Sequence, residues 1–178
     1  MDVLRLTQIT DLHLGADGAA TLGGVPTKAS LEAVLAAVVA QGRGEDRLLL
    51  TGDLASDCQP EAYQILNRIL KSHNKQAFWM PGNHDDAGVM AEHLVDCPVC
   101  TVADLGAWGL LTLDSSQPNK PGGHISDEQL LHVEQGLKTL ARKQYILLAM
   151  HHSPVLLNSA WLDSQQIDNR DRLQDLLQ

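Results

Sequence analysis

Short apolar runs alternate with longer stretches of helical spacing along this chain. Val3–Thr10, Arg47–Thr51, Gln76–Met80, Leu110–Asp114 and Tyr145–Met150 read as strands. Leu48-Leu49-Leu50 and Tyr145–Met150 are continuously apolar, the mark of strands covered on both faces. Helices are predicted over Ser30–Ala40, Pro60–Ser72, Asp86–Val95 and Asn169–Leu177. Pro60 suits a first helical turn, and Tyr63, Leu66 and Leu70 then share one stripe. Ser126-Asp127-Glu128-Gln129 has capping-box spacing and opens a further helix to about Leu140. Strands that alternate with helices in this way imply an α/β fold, a sheet structure flanked by helices. Two long Gly- or Pro-rich loops, Gly15–Thr27 and Gln117–Gly123, are placed to border a site.

Composition narrows the picture. With 178 residues and 44% hydrophobic residues, the chain suffices for one domain, 1–178, with a real core. Aromatics are only 3%, so that core is aliphatic. A formal net charge of -9 argues against DNA or RNA as a partner, while a small anionic substrate stays compatible because bound metals invert the local charge. No apolar run is long enough to span a membrane, and the N-terminus enters a strand without a leader. Three cysteines, Cys58, Cys97 and Cys100, suit a reducing compartment, and the expectation is a cytoplasmic protein. Cys97 and Cys100 have redox-motif spacing, but no second pair completes a zinc site.

Four polar clusters each follow an apolar strand: Asp11-Leu12-His13, Gly52-Asp53, Gly82-Asn83-His84-Asp85 and His151-His152. Functional groups in open α/β sheets gather beyond the carboxyl ends of strands, so these clusters can converge. Asp11 and His13 are two apart and would project to one side of an extended segment. Gly52 permits a close backbone approach beside Asp53, whose two oxygens suit a bridge between ions. Asn83 offers a neutral oxygen, His84 a spare proton carrier, and Asp85 a group to fix the His84 tautomer. Carboxylate, amide and imidazole together suit hard or borderline divalent ions. His73, His93 and His132 have no evident partners and read as solvated. Asp163, Asp168, Asp171 and Asp175 read as a solvated acidic face.

In this order the clusters resemble the calcineurin-like metallophosphoesterase superfamily, matched at Asp11-Leu12-His13, Gly52-Asp53-Leu54, Gly82-Asn83-His84-Asp85 and His151-His152-Ser153-Pro154. Gln8–Leu14, Leu113-Asp114-Ser115 and Trp161-Leu162-Asp163 with Asn169 are similar to its bacterial class III cyclic-AMP phosphodiesterase branch. The resemblance implies a sandwich of mixed sheets flanked by helices and a dinuclear centre of Fe²⁺ or Mn²⁺, with Zn²⁺ or Mg²⁺ as alternatives. Asp11 and His13 would bind one ion, Asp53 would bridge, and Asn83 and His151 would bind the other. His151 is preferred to His152 because it ends the strand. His84 would be the acid near the leaving oxygen, with Asp85 its partner. The implied reaction is hydrolysis of 3′,5′-cyclic AMP to 5′-AMP by a metal-bridging hydroxide. The alternatives are another phosphodiester or monoester, or an inactive remnant. The family closes its site with a later Gly-His-x-His block, and none follows His152. Gly123-His124-Ile125-Ser126 lacks the second histidine and precedes the His151 strand. The expectation is therefore a C-terminally incomplete domain, short of one ligand per ion and of part of its second sheet.

Overall fold

The structure, a computed structural model, describes residues 5–44, 47–73, 75–94 and 101–178. In chain order its elements are β1 (Leu6–Ile9), β2 (Thr21–Leu22), β3 (Val25–Pro26), α1 (Thr27–Ala40), β4 (Arg47–Leu50), α2 (Pro60–Ser72) and β5 (Ala77–Trp79). They continue as α3 (Ala87–His93), β6 (Val102–Leu105), β7 (Trp108–Thr112), α4 (Asp127–Thr139), β8 (Tyr145–Ala149), a 3-10 turn (Leu162–Gln165) and α5 (Arg170–Leu176). Cys97 and Cys100 lie outside the described residues.

The described strands form two three-stranded sheets and one small hairpin. The first sheet has the order β1-β4-β5 and is wholly parallel. The second has the order β6-β7-β8, with β6 antiparallel and β8 parallel to β7, so only this sheet is mixed. Strand side chains alternate between faces, and the alternation assigns the layers. Leu48 and Leu50 join Leu35, Leu66, Ile69 and other helix residues in one core. Leu49, between them in sequence, turns the other way and meets Phe78, Leu110 and Ala149 in a second core that lies between the sheets. Leu111, next to Leu110, faces away with Val133, Leu140 and Leu173 of the α4–α5 side. The result is helices, sheet, sheet, helices, with three stacked cores.

The expected strands and helices are present, their ends trimmed or extended by a few residues. α1 starts at Thr27, three residues before its expected start, with Pro26 as N-cap. Three strands and the 3-10 turn are not announced by the sequence pattern. The hairpin β2–β3 sits inside the Gly15–Thr27 loop, turned by Gly23 and Gly24 at φ 55° and 83°; both central residues need positive φ in the two-residue turn that matches strand twist. β6 has an aspartate among its four residues and a weak apolar signal. Half of the expected capping box forms: Ser126 Oγ accepts from Gln129 N at 3.2 Å, but Gln129 Oε1 accepts from Asp114 N at 3.0 Å instead of turning back. β8 was expected to be buried, yet Ile146, Leu147 and Leu148 are half-buried. It is the last strand in its sheet, with no neighbour on its far side among the described residues. No helix among the described residues is long and apolar enough to cross a membrane.

Leu110 is fully buried between the sheets. Leu110→Ala leaves a cavity that neither sheet can close, so it should destabilise the fold by about 2–5 kcal/mol in urea denaturation.

Candidate metal centre

The pairing of β1 with β4 does not stop where the strands end. Thr51 N donates to Ile9 O at 3.1 Å, Asp11 N to Gly52 O at 3.1 Å, His13 N to Asp53 O at 2.9 Å and Leu14 N to Leu54 O at 3.0 Å. This continued zipper carries two loops side by side past the sheet edge. Asp11, His13 and Asp53 all adopt positive φ along it, at 56°, 43° and 51°. The extended Asp11–His13 segment expected from spacing is therefore replaced by left-handed backbone at both residues. For non-glycine residues that conformation costs roughly 1–2 kcal/mol each. Such strain persists only where the surroundings over-determine it.

Two glycines permit the convergence. A Cβ at Gly52 (φ 95°) would lie 2.6 Å from His151 Nδ1 and 2.7 Å from Gly82 N. A Cβ at Gly82 would collide with Asp53 Oδ1. Only bare backbone lets the ends of β4, β5 and β8 approach this closely.

The donor atoms then face one another. His13 Nε2 lies 3.7 Å from Asp53 Oδ2 and 3.9 Å from Asp11 Oδ1, and His151 Nε2 lies 3.6 Å from Asp53 Oδ1. These gaps are too long for hydrogen bonds. They are close to the roughly 3–3.5 Å that separates neighbouring donors around an ion bound at 2.0–2.2 Å. Among the described residues, two groups have donors within 4.8 Å of one another: His13, Asp53 and His84, and Asp11, Asp53 and His151. Asp53 belongs to both, although it is only 4% exposed. Asp11 lies within reach of both His13 and His151. His84 falls into the first group as well as being the expected acid. Asn83 lines the same cleft.

Hydrogen bonds set the histidine tautomers. His151 Nδ1 lies 2.7 Å from Thr51 O, and a carbonyl only accepts, so Nδ1 carries the proton and Nε2 presents a lone pair. His84 Nδ1 donates likewise to Ser56 O at 3.2 Å. His84 N donates to Asp53 Oδ1 at 2.9 Å, holding that carboxylate in place. His152 differs. Its Nε2 donates to Pro121 O at 3.2 Å and its Nδ1 accepts from the buried Ser115 hydroxyl at 2.8 Å, so both nitrogens are engaged. Burial, and then the charge of His151, push its pKa down to about 4.

Asp85 requires a correction. It was expected to orient His84, but its carboxylate points into the protein. It accepts from Leu54 N at 3.1 and 3.0 Å, from Ala55 N and Gly82 N at 3.0 Å, and from Tyr63 OH at 2.9 Å. The carbonyl of Ser56 has the role expected of Asp85. Burial pushes the Asp85 carboxyl up, and the N–H and O–H donors around it oppose that shift. Burial and the adjacent Asp85 carboxylate raise the Tyr63 hydroxyl in turn, so it stays a donor. Cys58 donates its S–H to His84 O at 3.1 Å, and burial raises its thiol.

Tyr63 looked like a core residue because its stripe is apolar and its hydroxyl has no periodicity to announce it. Thr51 and Ser56 act through backbone carbonyls, which no side-chain motif reports. Three background readings also change. His132 Nε2 lies 3.1 Å from Thr112 O, so it is partnered. Asp168 bonds His124 Nδ1 at 2.6 Å, and Asp163 accepts from Leu157 N at 2.7 Å and from Ser159 N at 3.2 Å. These two carboxylates fasten loops and do not belong to an idle acidic face.

The floor of the resulting cleft, a volume of about 580 Å³, carries Asp11, His13, Asp53, Asn83, His84 and His151. Leu22 and Pro121, one from each of the two long loops, line its sides. Paired sheets between helix layers, with oxygen and imidazole donors gathered beyond the carboxyl ends of the strands, define a metallophosphoesterase architecture. Residues 4–176 match the family described as calcineurin-like phosphoesterase, and the chain belongs to that family. It is 38% identical to the 3′,5′-cyclic adenosine monophosphate phosphodiesterase CpdA of Haemophilus influenzae, over 98% of this chain and 65% of that protein. It is 36% identical to the CpdA of Escherichia coli, over 98% of this chain and 64% of the relative. A 3′,5′-cyclic-nucleotide phosphodiesterase of Nostoc is 35% identical, over 96% of this chain and 64% of its own length. The chain thus spans just under two thirds of the length of these relatives.

Two outcomes test this wiring. Asp85→Asn turns an NH₂ toward donors that now meet an oxygen, and should destabilise the fold by about 1–3 kcal/mol or more in chemical denaturation. His152 titrates at 6.5 when unfolded and at about 4 when folded. As pH falls between those values the unfolded chain takes up a proton and the folded one does not, so stability falls on acidification. With metal chelated, His152→Gln should flatten that part of the stability–pH curve relative to wild type.

Proposed function

We propose that this cleft hydrolyses phosphodiesters with the help of two divalent ions, and that its substrate is a 3′,5′-cyclic nucleotide, cyclic AMP in the first instance. One observation carries the reading. Asp53 is shared by two donor groups in a single cleft, with one of its oxygens toward His13 and the other toward His151. The relatives, named as cyclic-nucleotide phosphodiesterases, support the substrate class.

Asp11, His13, Asp53, Asn83 and His151 would hold the ions. Mixed oxygen and imidazole donors suit Fe²⁺ or Mn²⁺, and also Zn²⁺. When bound, the ions would neutralise the phosphoryl oxygens and lower the pKa of water from 15.7 toward about 7. The chain itself does the rest. The Thr51 carbonyl keeps the His151 Nε2 lone pair aimed at the cleft. The Ser56 carbonyl keeps the His84 proton on Nδ1 in the neutral ring, so Nε2 is the atom that gains and then gives a proton. Water attacks phosphorus, the bond to the ribose 3′ oxygen breaks, and His84 Nε2 protonates that oxygen to yield 5′-AMP. The small anionic substrate is consistent with a cytoplasmic enzyme.

A second reading keeps the ions and changes the substrate to another phosphodiester or a phosphomonoester, because the donor cluster itself engages only the phosphoryl group.

Metal content per chain and a substrate panel with Mn²⁺ (cyclic AMP, cyclic GMP and p-nitrophenyl phosphate esters) separate the readings. His84→Ala should keep its metal while turnover drops by about 10²–10⁴-fold. Asp53→Ala should lose both ions. Wild-type turnover in the first variant, or two retained ions in the second, would remove the assigned roles.

A further inference from the structure

The donor cluster occupies only the floor of its cleft. The volume of about 580 Å³ falls within the roughly 300–1,000 Å³ typical of sites for whole small molecules, and is far more than a phosphoryl group fills. Part of its lining is apolar: Leu157, Trp161 and Leu162 from the segment after His152, and Leu22 from the β2–β3 hairpin. All four are exposed, and Trp161 is the most exposed of them at 69%. A bare indole beside a polar floor has an apolar face without a partner and a flat shape suited to a planar ring.

The segment that carries Trp161 is fastened at several points. Asp163 Oδ1 accepts from Leu157 N at 2.7 Å and Oδ2 from Ser159 N at 3.2 Å. Ser164 Oγ donates to Trp161 O at 2.6 Å. Gln165 O accepts from Gly123 N at 3.3 Å, which ties the turn to the end of the Gln117–Gly123 loop. Gln165 lines the cleft as well, and its side-chain amide can both donate and accept. The cleft therefore joins apolar residues and an amide, on a segment held in place by these bonds, to the donor cluster.

We propose that Trp161 is the platform on which the heterocyclic base of a nucleotide substrate stacks, so that it sets the preference for phosphodiesters that carry a planar ring. The proposal rests on the phosphodiesterase reading above and names the residue that selects the substrate. A fatty-acyl chain would suit the apolar lining but not the Gln165 amide, and a base uses both.

The test compares cyclic AMP with a ring-free phosphodiester, glycerophosphoethanolamine, on the full chain with Mn²⁺. Stacking of a base on an aromatic side chain sets the expected size of the effect. Trp161→Ala should lower the ratio of kcat/KM for cyclic AMP over the ring-free ester by about ten- to a hundredfold, mainly through KM. Trp161→Phe should restore most of that ratio. An unchanged ratio, or equal losses on both substrates, would overturn the platform. A second arm needs no turnover. 5′-AMP should quench tryptophan emission in wild type but not in Trp161→Phe, where the buried Trp79 and the Trp108 of β7 remain. Quenching by octyl phosphate but not by 5′-AMP would assign the apolar lining to a lipid chain and overturn the proposal. Absence of turnover on both esters would count against the phosphodiesterase reading, and the quenching arm would then decide the platform alone.

Discussion

A buried carboxylate holds the site together. Asp85 gathers the backbone N–H groups of Leu54, Ala55 and Gly82 and the hydroxyl of Tyr63. Those four partners belong to the loop after β4, the loop after β5 and helix α2. Three segments that share no secondary structure are thereby pinned to one point. Because Asp53 directly precedes Leu54, and His84 directly precedes Asp85, fixing this point fixes two residues at the centre of the cleft. A charge removed from water in this way is tolerated only when donors surround it. The motif residue with no side-chain contact to His84 is thus the one that positions it.

The same logic explains the backbone. Left-handed conformations at Asp11, His13 and Asp53 would relax in an isolated peptide. Here the extended β1–β4 zipper, the glycine contacts at positions 52 and 82 and the Asp85 knot leave them no alternative. The stacked cores provide the stability to sustain that strain. Leu49 and Leu110 press the sheets together, and Leu48, Leu50 and Leu111 fasten the outer helices. Local strain at the site and close packing beneath it are two sides of one arrangement.

Much of this was legible before any coordinates. Strong apolar periodicity announced α2 to the residue, and the position of each motif after a strand announced their convergence. What failed to show was of three kinds. Contacts made by carbonyls, such as Thr51 to His151 and Ser56 to His84, leave no signature in side-chain identity. Polar tips on apolar stripes, such as the Tyr63 hydroxyl, are masked by the core pattern around them. Weak elements, such as β6 and the Gly23-Gly24 hairpin, are short and carry little apolar alternation, and show only once each pairs with its neighbour in the chain. The Asp85 role was misread for the first reason: adjacency in sequence suggested a side-chain partnership, but its real partners are mainly amides.

The outer flank of β8 has a consequence for what the sheet can accept. Its ladder is satisfied on the β7 side, and among the described residues no strand pairs with its other rim. Tyr145–Ala149 carries no charge or proline, the features that blunt a sheet edge, so this rim is where a further extended segment can add to the sheet through backbone bonds alone.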